Sequence, residues 1–325
     1  MKRILRTLGL LLGLAVVAVV GFGLFVAVRG IPHYDVPAVA APPAMPTGTP
    51  AQLALGGSMV RANCAACHRN PKTNRLSGAP LTDVFPGLGH LYSPNITQDT
   101  AHGIAAWTDN ELAAVLRTGI GRDGRYRVIM PHFVHLSDAD LQAVLAFLHS
   151  ADPSVQADAT PTPAQAPSFL LKILTHTVMK PSPLRPGPRP TPAPTPALAY
   201  GQYLVTGRYV CFQCHSQSHE TNQELHPEQS AGYLGGGTAF HDRQGRLIHS
   251  ANITGDQDTG IGDWTPAQLA ATLRFGQSPH GPTRSPMPVF SAMTDEEVQG
   301  IYAYLQSVPK IKNAIPKDGQ PVAAR

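Results

Sequence analysis

Residues 93–119 read SPNITQDTAHGIAAWTDNELAAVLRTG, and residues 250–276 read SANITGDQDTGIGDWTPAQLAATLRFG. The two stretches align without a gap, Ser93 on Ser250, and the match continues to about Ser150 and Ser307. Asn95-Ile96-Thr97 falls on Asn252-Ile253-Thr254, Gly103-Ile104 on Gly260-Ile261, Trp107-Thr108 on Trp264-Thr265, and Met130-Pro131 on Met287-Pro288. A duplication at one fixed offset marks a domain used twice, and two copies are too few for a solenoid. Capping-box starts at Thr108-x-x-Glu111 and Thr265-x-x-Gln268, the latter with Pro266 at the first helical position, predict one helix in each copy. A second helix is predicted after Ser137 and after Thr294, where Leu141, Val144, Leu145 and Leu148, and then Val298, Ile301, Tyr302 and Leu305, form apolar stripes at helical spacing. No alternating strand pattern stands out. The expected fold class is mainly α: two tandem domains with long irregular loops, preceded by one membrane helix.

Upstream of each repeat stands one copy of C-x-x-C-H, Cys64-Ala65-Ala66-Cys67-His68 and Cys211-Phe212-Gln213-Cys214-His215, and these use every cysteine in the chain. Two thiols three apart on a helical turn reach the two vinyl groups of one haem, and the adjoining histidine faces its iron. A disulfide pair, a redox C-x-x-C site or a zinc site of four thiolates would leave the repeated histidine unexplained. The cofactors expected are therefore two covalently bound haem c groups, with His68 and His215 as iron ligands.

A second axial ligand is sought among the methionines. Met130 and Met287 each precede a proline, which disfavours helical backbone at the methionine and leaves it on an extended loop. Their matched positions favour ligation over gap-filling, whereas Met45, Met59, Met179 and Met293 have no counterpart. Arg117 and Arg274 near a helix end, and Arg127 and Arg284 three residues before the methionines, are read either as partners of haem propionates or as solvated charges. For Trp107 and Trp264 packing is the first reading and an indole N–H to a propionate the second. His132 and His135 lack counterparts and are expected at the surface. His219, His226, His241 and His249 in the extra loop 216–249 show no metal-ligand spacing.

Composition sets the domain plan. Residues 1–6 form a basic N-terminus, and the uncharged run 7–28 is long enough at ~1.5 Å per residue to cross a hydrocarbon core of ~30 Å. A Pro-rich tether spans 29–50, the first domain 51–150, a linker 151–197 with twelve prolines, the second domain 198–310, and a tail 311–325. The linker is expected to be an extended spacer, interrupted by a short helix within 168–179 that is read as covering a surface between the domains, ahead of a membrane-touching role. Lys2, Arg3 and Arg6 precede the apolar run, which predicts a cytoplasmic N-terminus and exported domains. Net charges of +3, +1, +2 and −2 for residues 1–50, 51–150, 151–197 and 198–325 place no basic patch on either domain, which speaks against nucleic acid.

With these motifs assembled in order, the chain resembles the cytochrome c subunits of membrane-bound bacterial dehydrogenases of the alcohol and gluconate type. The likeness covers both domains. It implies a cytochrome c fold in each, histidine and methionine ligation, and electron flow from a periplasmic dehydrogenase or quinol-oxidising complex to another cytochrome or terminal oxidase. Such subunits commonly carry three haem domains and a cleaved leader, whereas this chain has two C-x-x-C-H sites and an apolar N-terminal span. Its first repeat also has Ala105 where the second has Gly262. The leading expectation is a dihaem electron carrier without catalysis of its own, single-pass in the inner membrane; the alternative is a dihaem peroxidase or other haem c enzyme. The mature protein should retain residues 7–28 and fractionate with the membrane, since the first A-x-A match, Ala38-Val39-Ala40, lies well past the apolar run. Intact mass decides it: a mature terminus near Ala41 would remove the anchor.

Overall fold

The computed structural model describes residues 2–39, 48–81, 87–242 and 245–316. Part of the expected tether with Met45, and the tail beyond 316, lie outside these. The chain is mainly helical. Helix α1 (Lys2–Arg29) is followed by α2 (Pro50–Met59), which runs through a π-helical turn (Val60–Cys64) into the short α3 (Ala65–His68). Then come α4 (Asp109–Thr118), α5 (Asp138–Leu148) and α6 (Phe169–Thr177). The second half repeats the order: α7 (Ala197–Tyr203), a π-helical turn (Leu204–Arg208), α8 (Cys211–His215), α9 (Pro266–Phe275) and α10 (Asp295–Ser307). The described strands pair two by two and antiparallel: β1 (Gly89–His90) with β2 (Ala166–Pro167), β3 (Ala239–His241) with β4 (Leu247–His249), and β5 (Gln277–Ser278) with β6 (Gly281–Pro282). At two or three residues each, they are too short to give an alternating pattern.

The predicted helix starts are built as read. Thr108, Thr265 and Thr294 form reciprocal capping boxes with Glu111, Gln268 and Glu297. Ser137 caps α5 through the Asp140 N–H, but the Asp140 carboxylate does not return the bond and turns inward instead. Helices α4 and α9 stop at Gly119 and Gly276, both left-handed, where a side chain would be strained.

In each half the first helix crosses the last at backbone contact. A Cβ on Gly56 would lie 1.9 Å from the Ala143 carbonyl oxygen, and one on Gly201 would lie 1.8 Å from that of Gly300. Only glycine permits α2 to rest on α5, and α7 on α10, at this separation. These crossings bring the repeat up to the C-x-x-C-H segments. One apolar cluster, including Leu141, Phe147, Leu204, Leu234, Phe290 and Ile301, runs through both halves.

The proline-rich segment is not a free spacer. The carbonyls of Asp158 and Thr160 accept from Asn95, Gln165 pairs with Tyr92, Ser182 bonds His132, and Arg189 reaches Asp138. Proline lacks an N–H, but its neighbours keep theirs, so an extended chain is laid along the first half and hydrogen-bonded to it. The corresponding contacts in the second half come from Ile311 and Asn313, beyond the boundary expected at 310. Nor does α6 cover ground between the halves. It packs on α1 and on a small cluster of Leu81, Leu91 and Leu171 in the first half.

The halves are joined by buried charge. Arg208, in the second π-helical turn, donates from Nε to Asp140 at 2.6 Å and from Nη1 to Glu297 at 2.5 Å, and these three side chains are 2–5% exposed. Burial lowers the Arg208 pKa, but the Asp140 hydrogen bonds and charge outweigh it and leave the guanidinium firmly protonated. Tyr203 donates to Asp140, and Tyr209 donates to Glu297 at 3.1 Å. Replacing Arg208 with Met strands two buried carboxylates and should cost about 3–5 kcal/mol in urea unfolding, whereas Lys312→Met, which removes an exposed pair, should leave the midpoint unmoved.

Candidate haem sites

Cys64 closes the first π-helical turn and Ala65–His68 continue it as an α-helical turn, while Cys211–His215 form a helical turn after the second. His68 Nδ1 lies 2.8 Å from the carbonyl oxygen of Pro94, and His215 Nδ1 lies 2.8 Å from that of Ala251. Pro94 and Ala251 are equivalent positions of the repeat, each directly before an Asn-Ile-Thr. A carbonyl can only accept, so the proton sits on Nδ1 and the Nε2 lone pair is left as a ligand. Burial lowers both histidine pKa values, which keeps the rings neutral, as metal ligation requires.

The Asn-Ile-Thr motif holds those carbonyls in place. Asn95 Oδ1 accepts from the Thr97 N–H and hydroxyl at 2.9 and 2.7 Å, while its Nδ2 donates to the carbonyls of Asp158 and Thr160. Asn252 repeats this with Thr254, and its Nδ2 donates to Ile311 and Thr259. Ile104 and Ile261 close onto the carbonyls of Thr97 and Thr254. The carbonyls that orient the histidines were not found in the sequence, because a backbone group has no residue signature. The pointer to them was the motif that follows.

The methionine loops are equally matched. Met130 donates its N–H to the Arg127 carbonyl and Met287 to that of Arg284, while Phe133 and Phe290 tie back to Leu116 and Leu273. Both methionines are half-buried against the main core, as are Cys64, Cys211, Trp107 and Trp264. Met59 and Met293 are buried in that core, and Met179 packs against the small cluster.

Arg117 and Arg274 have a use that neither sequence reading foresaw. Arg117, 2% exposed, donates to the Leu136 carbonyl and to Asp138, and Arg274 donates to the Met293 carbonyl and to Asp295. Each guanidinium braces the end of the methionine loop to the start of the next helix. Burial, and then the charge of Arg189, pull the Arg117 pKa down to about 10. Arg127 pairs with Asp123 at 2.8 Å, and Arg284 is exposed. His132 corrects the surface expectation: it is 7% exposed, its Nδ1 meets Ser182 at 2.8 Å, and burial lowers its pKa to about 4. His135 is half-buried, with Nε2 on the Glu224 carbonyl at 2.8 Å.

Two observations bear on whether haem suits these residues. Trp264 Nε1 is buried without a hydrogen-bond partner, a donor that an acidic group of a bound cofactor would satisfy. Burial pushes the Cys64 and Cys211 thiols up to about 12, the opposite of the depressed pKa that thiol–disulfide chemistry uses. Among the described residues no three His, Cys, Asp or Glu side chains converge on a metal-ion site. Haem fits this donor set.

The attachment turns of the two halves are neighbours. Asn63 Nδ2 donates to the Arg208 carbonyl at 2.9 Å, and Gln213 Nε2 donates to the His132 carbonyl at 3.0 Å. After desolvation, the charge of Cys67 is the next influence raising the Cys214 pKa. Removing either clasp, by Asn95→Ala or Asn252→Ala, leaves buried partners unsatisfied and should cost about 1–3 kcal/mol in thermal or denaturant unfolding. A change under about 0.5 kcal/mol would mean the motif does not hold the carbonyl.

The family described as cytochrome C oxidase, cbb3-type, subunit III matches residues 51–148. The cytochrome c subunit of the quinone alcohol dehydrogenase of Gluconobacter oxydans is 28% identical over 80% of this chain and 56% of its own length. The fructose dehydrogenase cytochrome subunit of Gluconobacter japonicus is 29% identical over 81% of this chain and 53% of its own. A diheme cytochrome c-type protein of Cereibacter sphaeroides is 29% identical over 77% of this chain and 83% of its own length. The chain thus spans about half the length of the dehydrogenase subunits it matches. With a cytochrome c domain in residues 51–148, this chain is a relative of the cytochrome c subunits of bacterial alcohol and fructose dehydrogenases.

Proposed function

We propose that the chain is a membrane-anchored dihaem c-type cytochrome built from two tandem cytochrome c domains. In this reading it accepts electrons from a periplasmic dehydrogenase or a quinol-oxidising complex. It passes them to another cytochrome or a terminal oxidase at the outer face of the inner membrane. The observation that carries the reading is the pair of equivalent histidines, each with Nδ1 on an equivalent carbonyl at 2.8 Å and a matched Met-Pro loop in its half.

Haem c, when bound, supplies a one-electron iron couple at each site. The chain's own residues do the rest. Cys64 and Cys67, and Cys211 and Cys214, attach the two groups. His68 and His215 present Nε2, and the carbonyl behind each ring fixes its tautomer and raises its basicity. Met130 and Met287 would be the second protein ligands, one in each half, and the Arg117 and Arg274 braces hold those loops to the helices that follow. Trp264 offers its N–H to a propionate; Trp107, Arg127 and Arg284 remain candidates for the same contact. The hydrogen bonds joining the attachment turns favour transfer between the haems within the molecule. Helix α1 is long and apolar enough to cross a membrane. The cytochrome subunits among the relatives favour the carrier over the peroxidase alternative.

Pyridine haemochrome assay should give two haems per chain, and one in a Cys211→Ser/Cys214→Ser variant. Met130→Ala and Met287→Ala should each remove part of the weak methionine-to-ferric-iron absorption and lower one potential, with attachment kept. An unchanged spectrum would return that methionine to the core. Native protein, oxidised or reduced, should not bind carbon monoxide readily. Rapid binding, or peroxide turnover at ~1 s⁻¹ or more, would favour the peroxidase.

A further inference from the structure

Helix α6 lies along the end of α1. The Phe169 ring comes within 3.7 Å of where a Cβ on Gly23 would stand, His176 meets Phe25 edge-on with centroids 5.3 Å apart, and His176 Nε2 lies 2.9 Å from the Gly30 carbonyl oxygen. These contacts run from Gly23 to Gly30. At 1.5 Å per helical residue, Gly23 is roughly 9 Å further along the α1 axis than Arg29, toward the interior of the apolar span.

One side of α6 is committed to the protein. Leu171 and Thr175 are fully buried, and Leu171 packs among Leu81, Leu91, Val128, Ile129 and Cys67. The Ser168 N–H bonds the Leu88 carbonyl, next to the β1–β2 pair. The other side is apolar and uncovered: Phe169, Leu170 and Val178 are 51%, 53% and 66% exposed, beside α1 residues Leu24 and Val28 at 64% and 85%. Arg29 ends α1, Lys172 lies on α6 and Lys180 follows it, and no Asp or Glu occurs from residue 159 to residue 196; Asp35 is the first acidic residue after α1. Lys180 Nζ donates to the carbonyls of Thr175 and His176 and closes the helix at its polar end.

We infer that α6 is a second membrane contact, with Phe169 and Leu170 inserted in the outer interface of the bilayer beside the end of α1, and Arg29, Lys172 and Lys180 at headgroup level. The inference rests on α1 being an anchor. A lipid surface is the occupant because the exposed face continues that of α1 at the same level, and because Phe169 meets α1 roughly 9 Å inside Arg29, within the ~5–10 Å to which apolar side chains enter the headgroup and acyl boundary. The cations Arg29, Lys172 and Lys180 suit anionic headgroups. The consequence is orientation. One anchor helix leaves a domain free to tilt, whereas α6, whose Leu171 shares with Leu81 and Leu91 the cluster on which Cys67 packs, turns the first C-x-x-C-H segment toward the membrane.

Full-length haem-loaded protein is reconstituted in vesicles of phosphatidylethanolamine and phosphatidylglycerol. An environment-sensitive fluorophore is attached to Leu170→Cys, Val20→Cys or Phe275→Cys, and lipids carrying a quencher at a shallow position (for 170 and 275) and at a mid-chain position (for 20) are then added. Emission from the labels at 170 and 20 should be lost, and emission from the label at 275 should persist. Loss at 20 without loss at 170 would overturn the α6 contact and leave the anchor standing; loss at neither would overturn both. Equal loss at 170 and 275 would mean the whole protein lies on the bilayer, which also overturns a contact specific to α6. In the unsubstituted protein a photoactivatable lipid should form adducts within residues 169–178, and their absence there, with adducts present in α1, would count against the inference.

Discussion

Each candidate site depends on one buried amide. Asn95 and Asn252 use both ends of the side chain, accepting twice from a threonine two residues on and donating to chain that arrives more than fifty positions later, or, at Asn252, also to the hydroxyl of Thr259. Such a group is costly to bury unless every bond is made, so it selects a single arrangement of the loop. The residue just before it contributes the carbonyl that sets the tautomer of His68 or His215. An imidazole held this way needs no rearrangement to meet a metal, and the histidine is prepared by the fold rather than by the cofactor alone.

The second constraint is the Arg208 triad. Buried ion pairs are poor sources of net stability, because desolvation consumes most of the attraction, but they exclude alternatives sharply. Arg208 requires α5 from one half and α10 from the other at the same time. Its own carbonyl is held by Asn63, one residue before Cys64. The lock therefore bears directly on how the two C-x-x-C-H segments lie relative to one another.

Much of this was legible locally. The capping boxes at Thr108, Thr265 and Thr294, the apolar stripes, and the Met-Pro loops involve partners within a few residues, so period and spacing expose them. The family resemblance rested on motif order, which the match over residues 51–148 and the dehydrogenase cytochrome subunits bear out. Other readings failed for a common reason. Arg117 did not look like a buried brace, and His132 looked like a surface residue, because their partners, Leu136, Asp138 and Ser182, are set by how loops fold back. The proline-rich stretch looked like a spacer because composition reports stiffness but not the surface on which a stiff chain is laid.

By itself the sequence determined the helical class, the duplication, the candidate ligands and the apolar helix, since each is written in short-range pattern. Tertiary structure decided the rest: which carbonyl orients each histidine, where α6 docks, and how Arg208 joins the halves. Those contacts pair groups tens of residues apart, and whether a buried donor meets its acceptor depends on backbones that only packing, as at Gly56 on Ala143 and Gly201 on Gly300, brings to contact distance.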